Sequence, residues 1–195
     1  MRLPFFLASR FVAGETLDDA LPAVHTLNDD GLHVALDLLG EHVEDREVAR
    51  QARDTYIDLV RTLDAITPND RRNRISIKLS MLGQLIDEDF CLKNLQALME
   101  VAAEHDMFVR LDMEGSDLTD STLSIFEAIH ADFPRLVGPV LQAMLKRTDR
   151  DIDRMCELGV SVRLCKGAYG ESAAVAYQDM DVIRARFTDY MQRLV

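Results

Sequence analysis

The sequence predicts an α/β fold of the (βα)8 TIM-barrel type, incomplete, with about five βα units present. Short apolar runs alternate five times with segments of helical spacing, which indicates a parallel sheet with right-handed crossovers. Each apolar run also carries a polar residue late in the strand, and in β/α barrels these strand ends hold the chemistry. An open doubly wound sheet fits the alternation as well. The first strand lacks a GxGxxG turn, however, and this disfavours a dinucleotide-binding sheet.

The composition narrows the class of protein. The chain has 195 residues, of which 48% are apolar and 29% charged, as in ordinary globular proteins. Lys and Arg total 22 against 34 Asp and Glu, a net charge of −12 that argues against nucleic acid as a partner. The three cysteines form no CxxC pair, which favours a reduced setting. The apolar run at 1–8 is too short for a signal sequence, and no stretch is long enough to span a bilayer. These features predict a cytoplasmic protein.

The chain divides into a leading helical segment, residues 1–32, and a single partial barrel domain, residues 33–195. In the leading segment, Thr16 or Asp18 can cap a helix that runs through Leu27, and Gly31 is a plausible stop. Pro22 lies inside that window and weakens the prediction.

Each unit of the barrel domain follows from its apolar pattern. The predicted strands are 33–40, 75–80, 108–113, 137–143 and a fifth that begins at Val160. The predicted helices are 44–66, 89–105, 118–130, 148–158 and most of 171–195, with a break at Pro68 and Asn69 after the first.

The fifth strand is the strongest indication of a site. The run from Val160 reads as a buried strand, yet it contains Arg163 and is followed by Lys166, Gly167 and Ala168. Burying an unpaired charge costs several kcal/mol, so cations at such a strand end favour a functional role over a packing role.

Polar residues near the ends of the other strands have more than one interpretation. Lys78 could extend to the rim, act as a Schiff-base nucleophile or bind a carboxylate. Asp112 could cap a loop, or could act as an acid, base or hydrogen-bond acceptor facing Lys78 and Arg163. Gln142 could equally satisfy backbone groups, and Asp37 could pair with a neighbouring cation. The five histidines have no metal-ligand spacing, so no metal site is predicted. The residues alone predict a barrel enzyme for an anionic substrate or cofactor, without naming a reaction.

Six segments, in order, resemble the monofunctional proline dehydrogenase family. They are RFVAGET at 10–16, LDLLGE at 36–41, ISIKLS at 75–80, LDMEGS at 111–116, LQAMLKRT at 141–148 and VRLCKGAY at 162–169. The resemblance implies a distorted β/α barrel with FAD at its mouth, and hydride transfer from L-proline to the flavin to give 1-pyrroline-5-carboxylate. Electrons would pass to a quinone, which implies a peripheral association with the inner membrane.

The resemblance also implies residue roles. Asp112 and Arg163 match the active-site pair, with the arginine beside the flavin, and Lys78 matches a residue that holds the substrate. Positions that contact FAD in the family match Met113, Gln142, Arg163, Lys166, Gly167 and Ala168. A cation beside the flavin can stabilise negative charge that develops on the ring.

The sequence departs from the family pattern in two respects. Met144 stands where the family usually has an aromatic residue. The chain also supplies five units, which cannot close a barrel of ~250 residues, so the expectation is a C-terminally truncated enzyme without the family's late arginine pair for the proline carboxylate. We expect no detectable turnover of proline by these residues alone. The alternatives are a catalytically inactive barrel fragment that forms homo-oligomers through open edges, and a lysine-dependent lyase using Lys78 or Lys166.

Overall fold

The structure is a computed structural model that describes residues 12–66 and 73–195. The apolar run at 1–8, the start of the segment RFVAGET and the predicted break at Pro68 and Asn69 lie outside those residues. No helix in the described ranges is both long and apolar enough to cross a membrane.

Helices and strands alternate along the described chain. The helices are α1 (Leu17–Asp29), α2 (Arg46–Ile66), α3 (Glu88–Glu104), α4 (Thr119–Asp132), α5 (Thr148–Leu158) and α6 (Met180–Arg193). The strands are β1 (Val34–Asp37), β2 (Asn73–Ile77), β3 (Val109–Leu111), β4 (Val137–Gln142) and β5 (Arg163–Cys165), and a short 3-10 helix spans Leu79–Leu82 after β2.

The five strands form one parallel sheet in the order β1-β2-β3-β4-β5. Neighbours in space are neighbours in sequence, so each helix is a crossover between adjacent strands, as in a β/α barrel. The predicted α/β class and the five βα units are therefore confirmed, and the chain forms a half-barrel.

The main core lies between the sheet and helices α2 to α4. Its largest fully buried side chains include Tyr56, Leu63, Ile75, Leu95 and Phe126. Burying a side chain of this kind contributes about 1.5–3 kcal/mol. Both faces of β2, β3 and β4 are largely buried, which explains why these strands read as continuous apolar runs.

Helix α1 forms much as its sequence predicts. The Thr16 hydroxyl accepts a hydrogen bond from the Asp19 backbone N–H at 3.2 Å, and the chain leaves the helix at Gly31 with φ of 78°. Two reciprocal side-chain hydrogen bonds of 3.0 and 2.9 Å join Asn28 to Asn73, and so attach α1 to β2. The domain boundary at residue 32 stays a prediction.

One expectation for the last unit is wrong and another is confirmed. The strand that begins at Val160 was expected to be buried, but β5 is an edge strand in the described chain and Arg163 is exposed. An apolar pattern does not reveal which strand lies at an edge. Most of 171–195 was expected to be helical, and α6 covers Met180–Arg193; Asp179 caps its start, and a turn and an antiparallel bridge between Leu145 and Ala176 precede it.

Arg110 fastens the edge strand to the middle of the sheet. Its guanidinium donates from Nη1 to the carbonyl oxygens of Pro139 (3.1 Å) and Ser161 (2.6 Å), and from Nη2 to the Ser161 hydroxyl at 3.1 Å. It also stacks over Phe108, with 4.7 Å from Cζ to the ring centroid. Gly138 leaves room for this crossing, because a Cβ there would lie 2.7 Å from Arg110 Nη1 and would overlap the Ser161 carbonyl oxygen.

We therefore expect Gly138→Ala to lower the free energy of unfolding by about 1–3 kcal/mol, as overpacking of a close-packed interior does. Gly170→Ala is the matched control, since a Cβ at Gly170 meets nothing within 4 Å. Urea unfolding of both variants measures the difference, and equal stabilities would contradict the close approach at Gly138.

Candidate functional site

Side chains from the ends of β1, β2 and β3 meet at one edge of the sheet. Asp37 is the last residue of β1, and Lys78 and Asp112 directly follow β2 and β3. The Lys78 ammonium Nζ lies 2.7 Å from Asp37 Oδ2 and 3.9 Å from Asp112 Oδ2. The ammonium therefore lies between two carboxylates at the mouth of the half-barrel. All three side chains are only partly exposed.

Asp112 also contacts Arg163, which begins β5. Arg163 Nη2 donates to Asp112 Oδ1 and, at 3.0 Å, to the Ser76 hydroxyl. The Ser76 hydroxyl in turn donates to the same Asp112 oxygen at 2.6 Å. Ser76 is buried, and it joins the carboxylate and the guanidinium of strands that are not adjacent in the sheet.

The pairing register explains why these groups meet. In parallel strands paired residues share a face, and Ser76 pairs with both Asp37 and Arg110. Arg110 pairs with Gly138 on β4, and Val140, two residues later, pairs with Arg163. The polar side chains therefore follow one face of the sheet, as a barrel interior requires.

A buried tyrosine donates a hydrogen bond to the Asp37 carboxylate. Tyr56 of α2 is 0% exposed, and its hydroxyl donates to Asp37 Oδ1 at 3.2 Å. Burial raises the pKa of Tyr56 far above its usual value, and the neighbouring Asp37 charge raises it further. The phenol is thus a neutral donor throughout the physiological pH range.

Burial weakens the basicity of the two arginines on this face. It lowers the pKa of Arg110 to about 10, with smaller contributions from the charges of Arg163 and Arg74. The Arg163 side chain is 43% exposed, and its partial burial lowers its pKa, opposed by the charges of Cys165 and Asp37. Both guanidiniums stay charged at neutral pH, and because Arg110 is buried, Arg163 is the one of the two that a ligand can reach.

The ends of β4 and β5 provide features that suit a cofactor. Gln142 is 2% exposed, and its amide nitrogen donates to the carbonyl oxygens of Glu114 (2.8 Å) and Met113 (3.3 Å). Among the described residues its oxygen Oε1 has no hydrogen-bond partner. A buried acceptor without a donor is costly, and a ligand N–H would satisfy it.

Gly167 lies against Met144, the residue that departs from the family pattern. Its φ is 109°, a conformation that favours glycine, and a Cβ there would lie 2.5 Å from Met144 Cγ. The Met144 side chain therefore occupies the space beside Gly167, and a larger residue at 167 would overlap it. The contact of Gly167 with FAD stays a prediction.

The loops above the strand ends are tied together by carboxylates. Glu114, which is buried, accepts hydrogen bonds from the Ser80 hydroxyl at 2.7 Å and the Ser80 backbone N–H at 3.2 Å. Glu171 accepts from the Ser116 backbone N–H (2.7 Å) and hydroxyl (2.6 Å). These bonds link the loops that follow β2, β3 and β5, and so fix the rim around the charged groups.

The structure brings together only some of the predicted site residues. Lys78, Asp112 and Arg163 form one contact network, and Met113 and Gln142 contact each other beside it. Lys166 and Ala168 follow β5 and are exposed, and no described contact joins them to the network. Within the described ranges no three His, Cys, Asp or Glu residues form a group able to hold a metal ion.

Sequence reasoning missed Ser76, Tyr56 and Arg110. Ser76 carried a usable signal, since it lies two residues before Lys78 and strand alternation puts both on one face. Tyr56 lies on the apolar, buried side of its helix, and helical spacing says nothing about the partner of its hydroxyl.

The fold and the site together define a class: a parallel β/α half-barrel with two carboxylates and two cations at its strand ends. Residues 20–190 match the family described as proline dehydrogenase. The chain is 38% identical over 172 residues to proline dehydrogenase 1 of Bacillus subtilis, covering 88% of this chain and 56% of that protein. It is also 38% identical over 177 residues to a proline dehydrogenase of Deinococcus radiodurans, covering 89% and 56%.

A solved structure agrees with this fold. Proline utilization A from Bdellovibrio bacteriovorus, inactivated by N-propargylglycine, superposes with a TM-score of 0.89 at 22% identity, covering 97% of this chain and 24% of that one. The chain belongs to the proline dehydrogenase family. It spans 56% of the length of the two curated relatives described above.

Cysteine reactivity tests the burial described above. Burial raises the pKa of Cys91 to about 12, so at pH 8 only roughly one thiol in 10,000 is ionised. Cys156 is exposed and Cys165 is partly buried. We expect iodoacetamide to alkylate Cys156 fastest and Cys91 slowest in the folded protein, as peptide mass spectrometry would measure. In urea all three should react alike; rapid alkylation of Cys91 without urea would contradict its placement in the core.

Proposed function

We propose that this chain carries the catalytic face of a proline dehydrogenase, which oxidises L-proline to 1-pyrroline-5-carboxylate. The observation that supports this most is the network of Lys78, Asp112 and Arg163, since the three residues come from separate strands of a chain that belongs to that family. In this proposal Lys78 provides a point charge for the proline carboxylate. Asp112 keeps Arg163 in place and balances its charge.

FAD is the proposed cofactor. When bound, it would accept a hydride from proline, and loss of the proton on the proline nitrogen would complete the imine. Arg163 would lie beside the flavin ring, with Met113, Gln142, Lys166, Gly167 and Ala168 as further contacts. The exposed Arg163 guanidinium and Gln142 Oε1, which has no hydrogen-bond partner among the described residues, support this assignment. A quinone acceptor and a peripheral membrane association belong to the same proposal.

Two sets of contacts support different roles for Arg163 and Lys78. Arg163 is held by both Asp112 and Ser76, so its charge is fixed in direction before any ligand arrives. Lys78 is closer to Asp37 than to Asp112. The Lys78 ammonium has three N–H donors, so a substrate carboxylate could bind it while Asp37 keeps its contact and Arg163 stays paired with Asp112.

Flavin binding tests the cofactor site directly. We expect titration with FAD to quench flavin fluorescence, and bound FAD to slow the alkylation of Cys165, which shares the face of Arg163, without changing Cys156. Arg163→Met should weaken FAD binding by at least about tenfold, the effect of losing one charged contact of ~1.4 kcal/mol. Arg150→Met, which removes an exposed arginine elsewhere, is the control.

Equal FAD affinity for both variants, or protection of Cys156 instead of Cys165, would contradict the proposed site. Dye reduction in the presence of proline, measured on the same preparation, tests the expectation that this chain alone does not oxidise proline. Size-exclusion chromatography of the colourless and flavin-loaded protein tests the alternative of an inactive oligomer.

A further inference from the structure

Tyr56 of α2 reaches the end of β1 from the helix layer. Its hydroxyl donates to Asp37 Oδ1 at 3.2 Å, and Asp37 is the last residue of β1. The phenol of a helix residue therefore contacts the carboxylate at the end of the first strand.

The second carboxylate oxygen of Asp37 contacts Lys78. Asp37 Oδ2 lies 2.7 Å from Lys78 Nζ, so the two oxygens of one carboxylate connect Tyr56 to the Lys78 ammonium. A hydrogen bond on Oδ1 restricts rotation of the carboxylate and directs Oδ2 at the lysine. Tyr56 cannot move in response, because its ring is fully buried in the core.

We propose that Tyr56 is a positioning residue, which acts through Asp37 to hold the Lys78 ammonium over the strand ends. Its value for catalysis rests on the proposed function, in which Lys78 binds the substrate carboxylate. A flexible lysine would lose side-chain entropy when it binds an anion, and a lysine already held by Asp37 and Tyr56 has lost much of it beforehand.

The chain offers a matched control. Tyr190 is also fully buried, but among the described residues its hydroxyl has no hydrogen-bond partner. Tyr56→Phe and Tyr190→Phe each remove one buried hydroxyl, and only the first breaks a contact with Asp37. A general loosening of the core would affect both variants alike.

The test is the mobility of the Lys78 ammonium, measured by ¹⁵N relaxation without flavin or proline. The chain has four lysines, Lys78, Lys93, Lys146 and Lys166, so each ammonium signal can be assigned by substitution to arginine. We expect Lys78 to have a clearly higher order parameter than the exposed Lys93. Tyr56→Phe and Asp37→Asn should lower it toward the Lys93 value, and Tyr190→Phe should leave it unchanged.

An unchanged order parameter in folded Tyr56→Phe, or an equal loss in Tyr190→Phe, would overturn the proposal. If Tyr56→Phe does not fold, the contact from Tyr56 through Asp37 to Lys78 is measured at Tyr56 instead, in protein labelled with 3-fluorotyrosine. The ¹⁹F resonance of Tyr56 should then shift in Lys78→Met, while that of Tyr190 stays in place; a stationary Tyr56 resonance overturns the proposal. Because neither readout needs flavin or proline, a failure here is distinct from a failure of the proposed function.

Discussion

The candidate site depends on the in-register parallel pairing of five strands. Parallel pairing keeps paired residues on one face, so polar residues at matched positions of the strands are enough to assemble a cluster from distant parts of the sequence. Ser76 and Arg163 are 87 residues apart in the chain, yet they are joined by a 3.0 Å hydrogen bond. A shift of one residue in any strand would turn its polar group toward the helices.

The sequence was sufficient for the architecture and for the principal charged residues. Apolar runs and helical spacing predicted the five units, and α5 has the predicted bounds Thr148–Leu158. Lys78, Asp112 and Arg163 were identifiable because a charge in an apolar strand is costly and therefore conspicuous. The hydroxyls of Ser76 and Tyr56 were not, since a small polar residue in a strand and a tyrosine on an apolar helix face are compatible with ordinary packing.

The features that the sequence did not reveal have a common physical origin, because sequence patterns describe local preference and not which residues become neighbours in space. The exposure of β5 depends on its place at the edge of the described sheet. The role of Gly167 depends on Met144, which reaches it from the loop after β4. The bond between Arg110 and Ser161 depends on the absence of a side chain at Gly138, on the strand between them. Each of these relations needs coordinates from two or three strands.

The charge at the strand ends differs from that of the chain as a whole. The net charge of −12 repels anions at long range, but salt screens exposed charges beyond about 8–10 Å. At the strand ends two cations, Lys78 and Arg163, face two carboxylates, Asp37 and Asp112, so these four side chains balance in charge. Burial strengthens these local interactions by excluding water. An anion that reaches the mouth of the half-barrel therefore meets two cations that Asp37, Asp112 and Ser76 already hold in place, and the acidity of the chain as a whole is not repeated there.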